Sequence, residues 1–158
     1  MAASSGLIVV PPRKSPADEK HMKALPLRRV LSCGTFDHFH PGHDAFLSQA
    51  RRLGEELFVV VSRDENVLRL KGRTPDQVED VRLAVVADHG CVDDARLGYP
   101  GADFLRVVAD IRPHVIALGY DQRAPRGLET AFPDCEIVTL APFEPDRFKS
   151  SLLREGGT

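Results

Sequence analysis

The segment "ELFVVVS" (residues 56–62) places apolar, mostly β-branched residues on consecutive positions. Side chains of a strand alternate between its two faces, so this run describes a strand covered on both, as inside a parallel sheet. Few folds accommodate such a strand, and the rest of the chain alternates to match. "RRVLSCG" (28–34) reads as a first strand. From Pro41 through Leu53 the apolar Ala45, Phe46, Ala50 and Leu53 recur at helical spacing, with Gly54 as the stop. "DQVEDVRLAVVADHG" (76–90) reads as a second helix, with Val78, Val81, Val85 and Val86 largely on one face and Leu83 beside them. "CVDDARLG" then reads as a strand, "ADFLRVVADIRP" as a helix stopped by Pro113, and "HVIALG" and "CEIVTLA" as two more strands. The expected fold is α/β: a single doubly wound, Rossmann-like parallel sheet with helices on both faces.

Composition narrows the function classes. The chain has 158 residues, 42% hydrophobic and 28% charged, with a formal net charge of −2, so no electrostatic footprint for duplex DNA or an anionic membrane surface is present. No uninterrupted apolar run reaches the roughly 20 residues of a membrane span. Cys33, Cys91 and Cys135 are far apart and form no Cys-x-x-Cys pair, which fits a reducing, cytoplasmic location better than a disulfide framework. Residues 1–29 carry four prolines and weak periodicity, and read as a flexible extension ahead of one domain at 30–158.

In doubly wound sheets ligands bind beyond the carboxyl ends of the strands. Three polar, glycine-containing segments follow strands here: "GTFDHFHPGH" (34–43), "SRDENVLRLKGR" (62–73) and "GYDQRAPRG" (119–127). The first holds three of the six histidines. Gly34 admits a ligand without a Cβ in the way, and the helix opening at Pro41, Gly42 and His43 offers unpaired N–H groups and a positive dipole end, which suit phosphate. His40 and His43, three apart, can face one point and donate to phosphate oxygens as charge grows on a leaving group. The plainer alternative is that these imidazoles cap or pack the turn. A zinc site from Cys33, His38, His40 and His43 matches no usual ligand spacing.

Lys71 and Arg73 read as a basic loop that reaches over phosphates or is simply solvated. Arg82 reads as a substrate contact or an exposed helix residue. Asp121 and Gln122 read as site residues or as ordinary turn residues. His21, His89 and His114 carry no functional assignment.

"GTFDHFHPGH", between its strand and its helix, resembles the signature of the cytidylyltransferase-like nucleotidyltransferases with their His-x-Gly-His motif, and the resemblance extends over most of residues 30–154. "GEELFVVVSRDENVLRLKGRTP" and "VDDARLG" resemble the archaeal-type FAD synthases, small enzymes that adenylylate FMN. "ALGYDQ" is similar to the Gly-x-Asp-Gln of that branch, where the glycerol phosphate and ethanolamine phosphate cytidylyltransferases usually carry Gly-Asp-Asp. The resemblance implies catalysis by His40, His43 and Lys71. It implies nucleotide binding by Gly34, Thr35, Phe36, Pro41, Gly42 and Asp121, with Phe148 against the adenine and Ser150 and Ser151 on the β- and γ-phosphates. Asp37, Arg73 and Gln122 fall to the substrate side. The implied substrates are ATP, carrying Mg²⁺, and FMN, with no metal ligand set on the protein; many relatives form dimers. A CTP-dependent cytidylyltransferase and a non-catalytic nucleotide-binding domain remain the alternatives.

Overall fold

The computed structural model describes residues 27–143. Five strands, β1 (Arg29–Gly34), β2 (Glu56–Val61), β3 (Asp94–Leu97), β4 (Val115–Leu118) and β5 (Glu136–Thr139), form one sheet in the order β3-β2-β1-β4-β5. Every pairing is parallel. The helices are α1 (Pro41–Arg51), α2 (Asp64–Lys71), α3 (Glu79–Ala87), α4 (Phe104–Ile111) and the short α5 (Leu128–Ala131). The expected doubly wound α/β sheet is therefore present.

The period of two divides the core. Val30, Leu57, Val59, Val61, Val115 and Ala117 face one side, packed with Leu47 and Ala50 of α1 and Val86 of α3. Leu31, Val60, Ile116 and Leu118 face the other, with Val107, Val108 and Ile111 of α4 and Leu128 of α5. The consecutive apolar residues of β2 are thus divided between two helical layers.

Two helical expectations are corrected. "SRDENVLRLKGR" is not a loop: Asp64–Lys71 is helical and closes on Gly72, whose φ of 79° suits the left-handed cap. Its buried residues include Asn66, whose side-chain amide donates to Tyr99 O at 3.0 Å, while Leu68 and Leu70 are exposed. At α3 the expected apolar face is split: Val86 is buried and Leu83 packs against the core, but the N-cap Val78 and the helical Val81 and Val85 are turned outward. Val78, Val81 and Val85 are 58%, 45% and 40% exposed, whereas Arg82 is fully buried. The ends of α2 and α3 explain the arrangement, because each caps the other. Asp64 N–H donates to Glu79 Oε1 (2.8 Å), and Glu79 N–H donates to Asp64 Oδ2 (3.3 Å). This mutual capping, joined by the Arg82–Asp64 ion pair at 2.6 Å, turns the helix with its arginine inward.

Helix α1 ends at Arg51 with Arg52 as its C-cap, ahead of the expected stop at Gly54, and Gly54 has another role. A Cβ there would lie 2.4 Å from Arg28 O, so the close approach of two backbone segments demands glycine. Among the described residues, Ser32 Oγ on β1 is the buried side-chain polar atom without a hydrogen-bond partner. An unpaired buried hydroxyl costs roughly 1–3 kcal/mol. Ser32→Ala is therefore expected to raise the unfolding free energy by about 1 kcal/mol, read as a higher urea midpoint at unchanged m-value; a loss of stability would contradict this.

Candidate active site

β1 and β4 are neighbours at the centre of the sheet, and the chain leaves them towards opposite sides, so a crevice opens beyond Gly34 and Gly119. A cavity of about 380 Å³ lies there, within the range of small-molecule sites. Its lining is mixed, with the polar Thr35, His40, His43, Lys71, Arg73 and Thr74 and the largely apolar Phe46, Tyr120, Pro142 and Phe143. Gly34, Phe36, Asp37, Gly42, Asp121 and Gln122 also line it. Pro41 opens α1 beside the cavity without lining it. Phe148, Ser150 and Ser151 lie outside the described residues.

His40 is the N-cap of α1, and its Nδ1 accepts Gly42 N–H at 3.0 Å. His43 Nδ1 accepts His40 N–H at 3.3 Å, a reciprocal cap in which histidines replace the usual hydroxyl and carboxylate. Burial and the neighbouring His38 hold His40 below the ordinary histidine range. Burial first, then His40, with Lys71 adding to them and Asp37 opposing, push His43 down to about 3. Both rings are thus neutral at pH 7. A neutral imidazole whose Nδ1 accepts must carry its proton on Nε2. Capping and phosphate handling are therefore compatible, because Nδ1 serves the helix and Nε2–H remains a donor. The rings stack with centroids 3.8 Å apart, and the edge of Phe36 against His43 (5.4 Å) and the tilted Phe39 (5.3 Å) hold the second ring.

The lowered pKa of His43 has a sign for stability. Between pH 6.5 and about 3 the unfolded chain binds a proton at this residue that the folded chain does not, so its contribution to stability falls on acidification through that window. Replacing His43 by glutamine should flatten the fall of the urea midpoint with pH there; an unchanged slope would contradict the assignment.

The turn after β1 is built for this arrangement. Phe36 and His38 have φ of 55° and 51°, left-handed values that are uncommon outside glycine. Gly34 makes room for the Phe36 ring, which would lie 3.0 Å from a Cβ at that position. Phe36 is itself buried and joins the core. Asp37 is buried too, and its carboxylate accepts Asp76 N–H (2.8 Å) and Gln77 N–H (3.0 Å). His38 pairs with Asp76 at 2.6 Å. These contacts tie the segment 72–78, which carries Arg73, to the histidine turn. Lys71 Nζ, at the end of α2 rather than in a loop, reaches Thr35 Oγ1 at 3.2 Å.

Gln122 bridges the crevice. Its Oε1 accepts Gly119 N–H at 2.7 Å, and its Nε2 donates to Cys33 O at 3.0 Å, linking the ends of β4 and β1. Arg82, for which the sequence favoured no role, donates to Thr35 O (2.7 Å), Gln77 O (2.9 Å) and Asp64 Oδ1 (2.6 Å). The only sequence signal for it was a charge among four valines of one helix. Burial raises the Cys33 thiol to about 11, so this cavity-lining cysteine is a neutral thiol, not a nucleophile. Among the described residues no helix is long and apolar enough to cross a membrane.

A cavity at the switch point, walled by a histidine-capped helix start and a lysine, defines a nucleotide-handling α/β domain. The family model described as cytidylyltransferase-like matches residues 31–155, and the chain belongs to that family of nucleotidyltransferases. Within it the chain is similar to archaeal FAD synthases. It is 50% identical to the FAD synthase of Methanosarcina barkeri over 97 residues, 61% of this chain and 68% of that protein. It is 43% identical to the FAD synthase of Methanopyrus kandleri over 125 residues, 74% of this chain and 82% of that protein. Matches to two further archaeal FAD synthases at 50% identity span 62% of their length. The crystal structure of the lipopolysaccharide core biosynthesis protein from Thermoplasma volcanium superposes with a TM-score of 0.69 at 34% identity, covering 75% of this chain and all of that one.

Proposed function

We propose that the chain is an FMN adenylyltransferase, transferring AMP from ATP to the phosphate of FMN to give FAD and pyrophosphate. The observation that carries this reading is the 38–50% identity with proteins named FAD synthase. The cavity supports it, because His40, His43 and Lys71 are all among its lining residues.

The reaction is an in-line attack of an FMN phosphate oxygen on the α-phosphorus, with the bond to pyrophosphate breaking. The FMN phosphate is already ionised at neutral pH, so no general base is required. What the protein supplies is positioning and stabilisation of charge on the departing pyrophosphate. His40 and His43 donate through Nε2–H, Lys71 adds a positive charge, and Arg73 contacts the phosphates from the segment 72–78. Thr35, Gly42 and Asp121 bind the nucleotide. Asp37 and Gln122 serve the substrates indirectly, by fixing the loops that meet them.

Adenylyl transfer is consistent with a divalent metal. Among the described residues, Asp37, His38 and Asp76 bring ligand atoms within 4.8 Å of one another. Asp37 accepts two backbone N–H groups and His38 is paired with Asp76, so these residues do not fit a magnesium cage. Mg²⁺ is taken to enter as part of the ATP substrate.

A nucleotide and acceptor panel tests the reading. ATP or CTP is combined with FMN, glycerol 3-phosphate or ethanolamine phosphate, and pyrophosphate release is followed. Release with ATP and FMN alone is expected; release with CTP and a phosphorylated alcohol would overturn the proposal.

A further inference from the structure

The buried guanidinium of Arg82 is the feature of the fold that packing does not explain. Burying an ionised side chain is costly, and a well-packed apolar residue of similar size is often neutral or stabilising in its place. Helix α3 buries Val86 and packs Leu83 on the core, yet beside them it buries Arg82 while Val81, Val85 and the N-cap Val78 stay exposed. A chain under pressure for stability alone would be expected to do the reverse. Local inversions of this kind concentrate where function sets the terms.

The three groups that Arg82 holds identify that function. Thr35 O belongs to the turn after β1, and Thr35 Oγ1 meets Lys71 Nζ. Gln77 O belongs to the segment that carries Arg73. Asp64 begins α2, whose other end carries Lys71. One planar side chain with donors in a fixed fork thus joins the three pieces of backbone that present Thr35, Arg73 and Lys71 to the cavity. A lysine places one point charge there and cannot span three acceptors in different directions.

We infer that Arg82 is a positioning residue for nucleotidyl transfer: it touches no reacting atom, and it sets where Thr35, Lys71 and Arg73 stand relative to one another. The inference rests on the nucleotidyl-transfer reading of the cavity. It does not rest on FMN as the acceptor.

Arg82→Lys and Asp64→Ala test it, the second at a side chain about one-third exposed, so that folding does not hinge on Arg82 alone. Pyrophosphate release is read with whichever nucleotide and acceptor the unaltered protein uses. A silent wild type with FMN therefore refutes the acceptor and leaves Arg82 testable. Each variant is expected to lower kcat by about tenfold or more, as displacement of a catalytic group by about an ångström does, with the acceptor KM changed less than about threefold. Because Arg82 acts through Lys71 and its neighbours, combining Arg82→Lys with Lys71→Ala should cost little more than Lys71→Ala alone. The inference is overturned if the two losses multiply. Unchanged kcat in both variants would overturn it as well, as would a loss that matches only the fraction unfolded in a thermal melt. Should Arg82→Lys not fold, Asp64→Ala carries the same comparison.

Discussion

His43→Ala is expected to lower turnover by about 10²-fold or more, the usual cost of removing one transition-state hydrogen-bond donor. His43 lines the cavity, and its Nδ1 is committed to His40 N–H, so Nε2–H is what the substitution removes from the reaction. The variant also loses half of the reciprocal cap of α1, worth about 1 kcal/mol. That loss moves the melting temperature by a few degrees but leaves nearly all molecules folded at 25 °C, so it does not account for a change of this size in kcat. Turnover measured per folded molecule is the check, and an unchanged value would remove His43 from the mechanism.

Lys71→Ala is expected to cost a similar factor, about 10² in kcat/KM for ATP, through loss of a cation from the phosphate side of the cavity. Lys71 is exposed at the end of α2, so stability should stay within about 0.5 kcal/mol of the wild type. This separates it from His43, where the two readouts move together. If initial rates with ATP are unaffected, Thr35 is merely the anchor of a surface lysine.

How much of this was legible in the sequence differs from element to element. The strands were legible because burial on both faces writes itself as consecutive apolar residues, as in β2. Helix α1 was legible because Phe46, Ala50 and Leu53 recur at helical spacing and do pack on the core, although the fully buried Leu47 was not among the residues that marked it. Helix α2 was hidden. It buries Asn66 through a hydrogen bond to Tyr99 O and leaves Leu68 and Leu70 in solvent, so its hydrophobic pattern argues against a helix packed on a core. Helix α3 was found, and Val86 and Leu83 do face the core, but Arg82 with its ion pair is buried beside them while Val78, Val81 and Val85 are exposed.

The site shows the same division. His40 and His43 were legible as residue types beside a strand end and a helix start, whereas Thr35 and the role of Lys71 came only with the family resemblance. The supporting residues were not legible, because their partners are remote in sequence. Gln122 joins Cys33 across 89 positions and Asp37 holds Gln77 across 40. His38, whose ring sits within a run of histidines, turns out to secure the segment bearing Arg73 through Asp76. Periodicity reports which face of an element is apolar; it carries no information about a polar side chain spent on a distant backbone.

The most direct test of the central claim follows the α-phosphorus of ATP. Purified protein is incubated with FMN, magnesium and ATP labelled at that atom, and the products are separated. The label is expected in FAD, with one pyrophosphate released for each FAD formed. Label that remains in ATP or appears as free AMP, with no FAD formed, would contradict the claim.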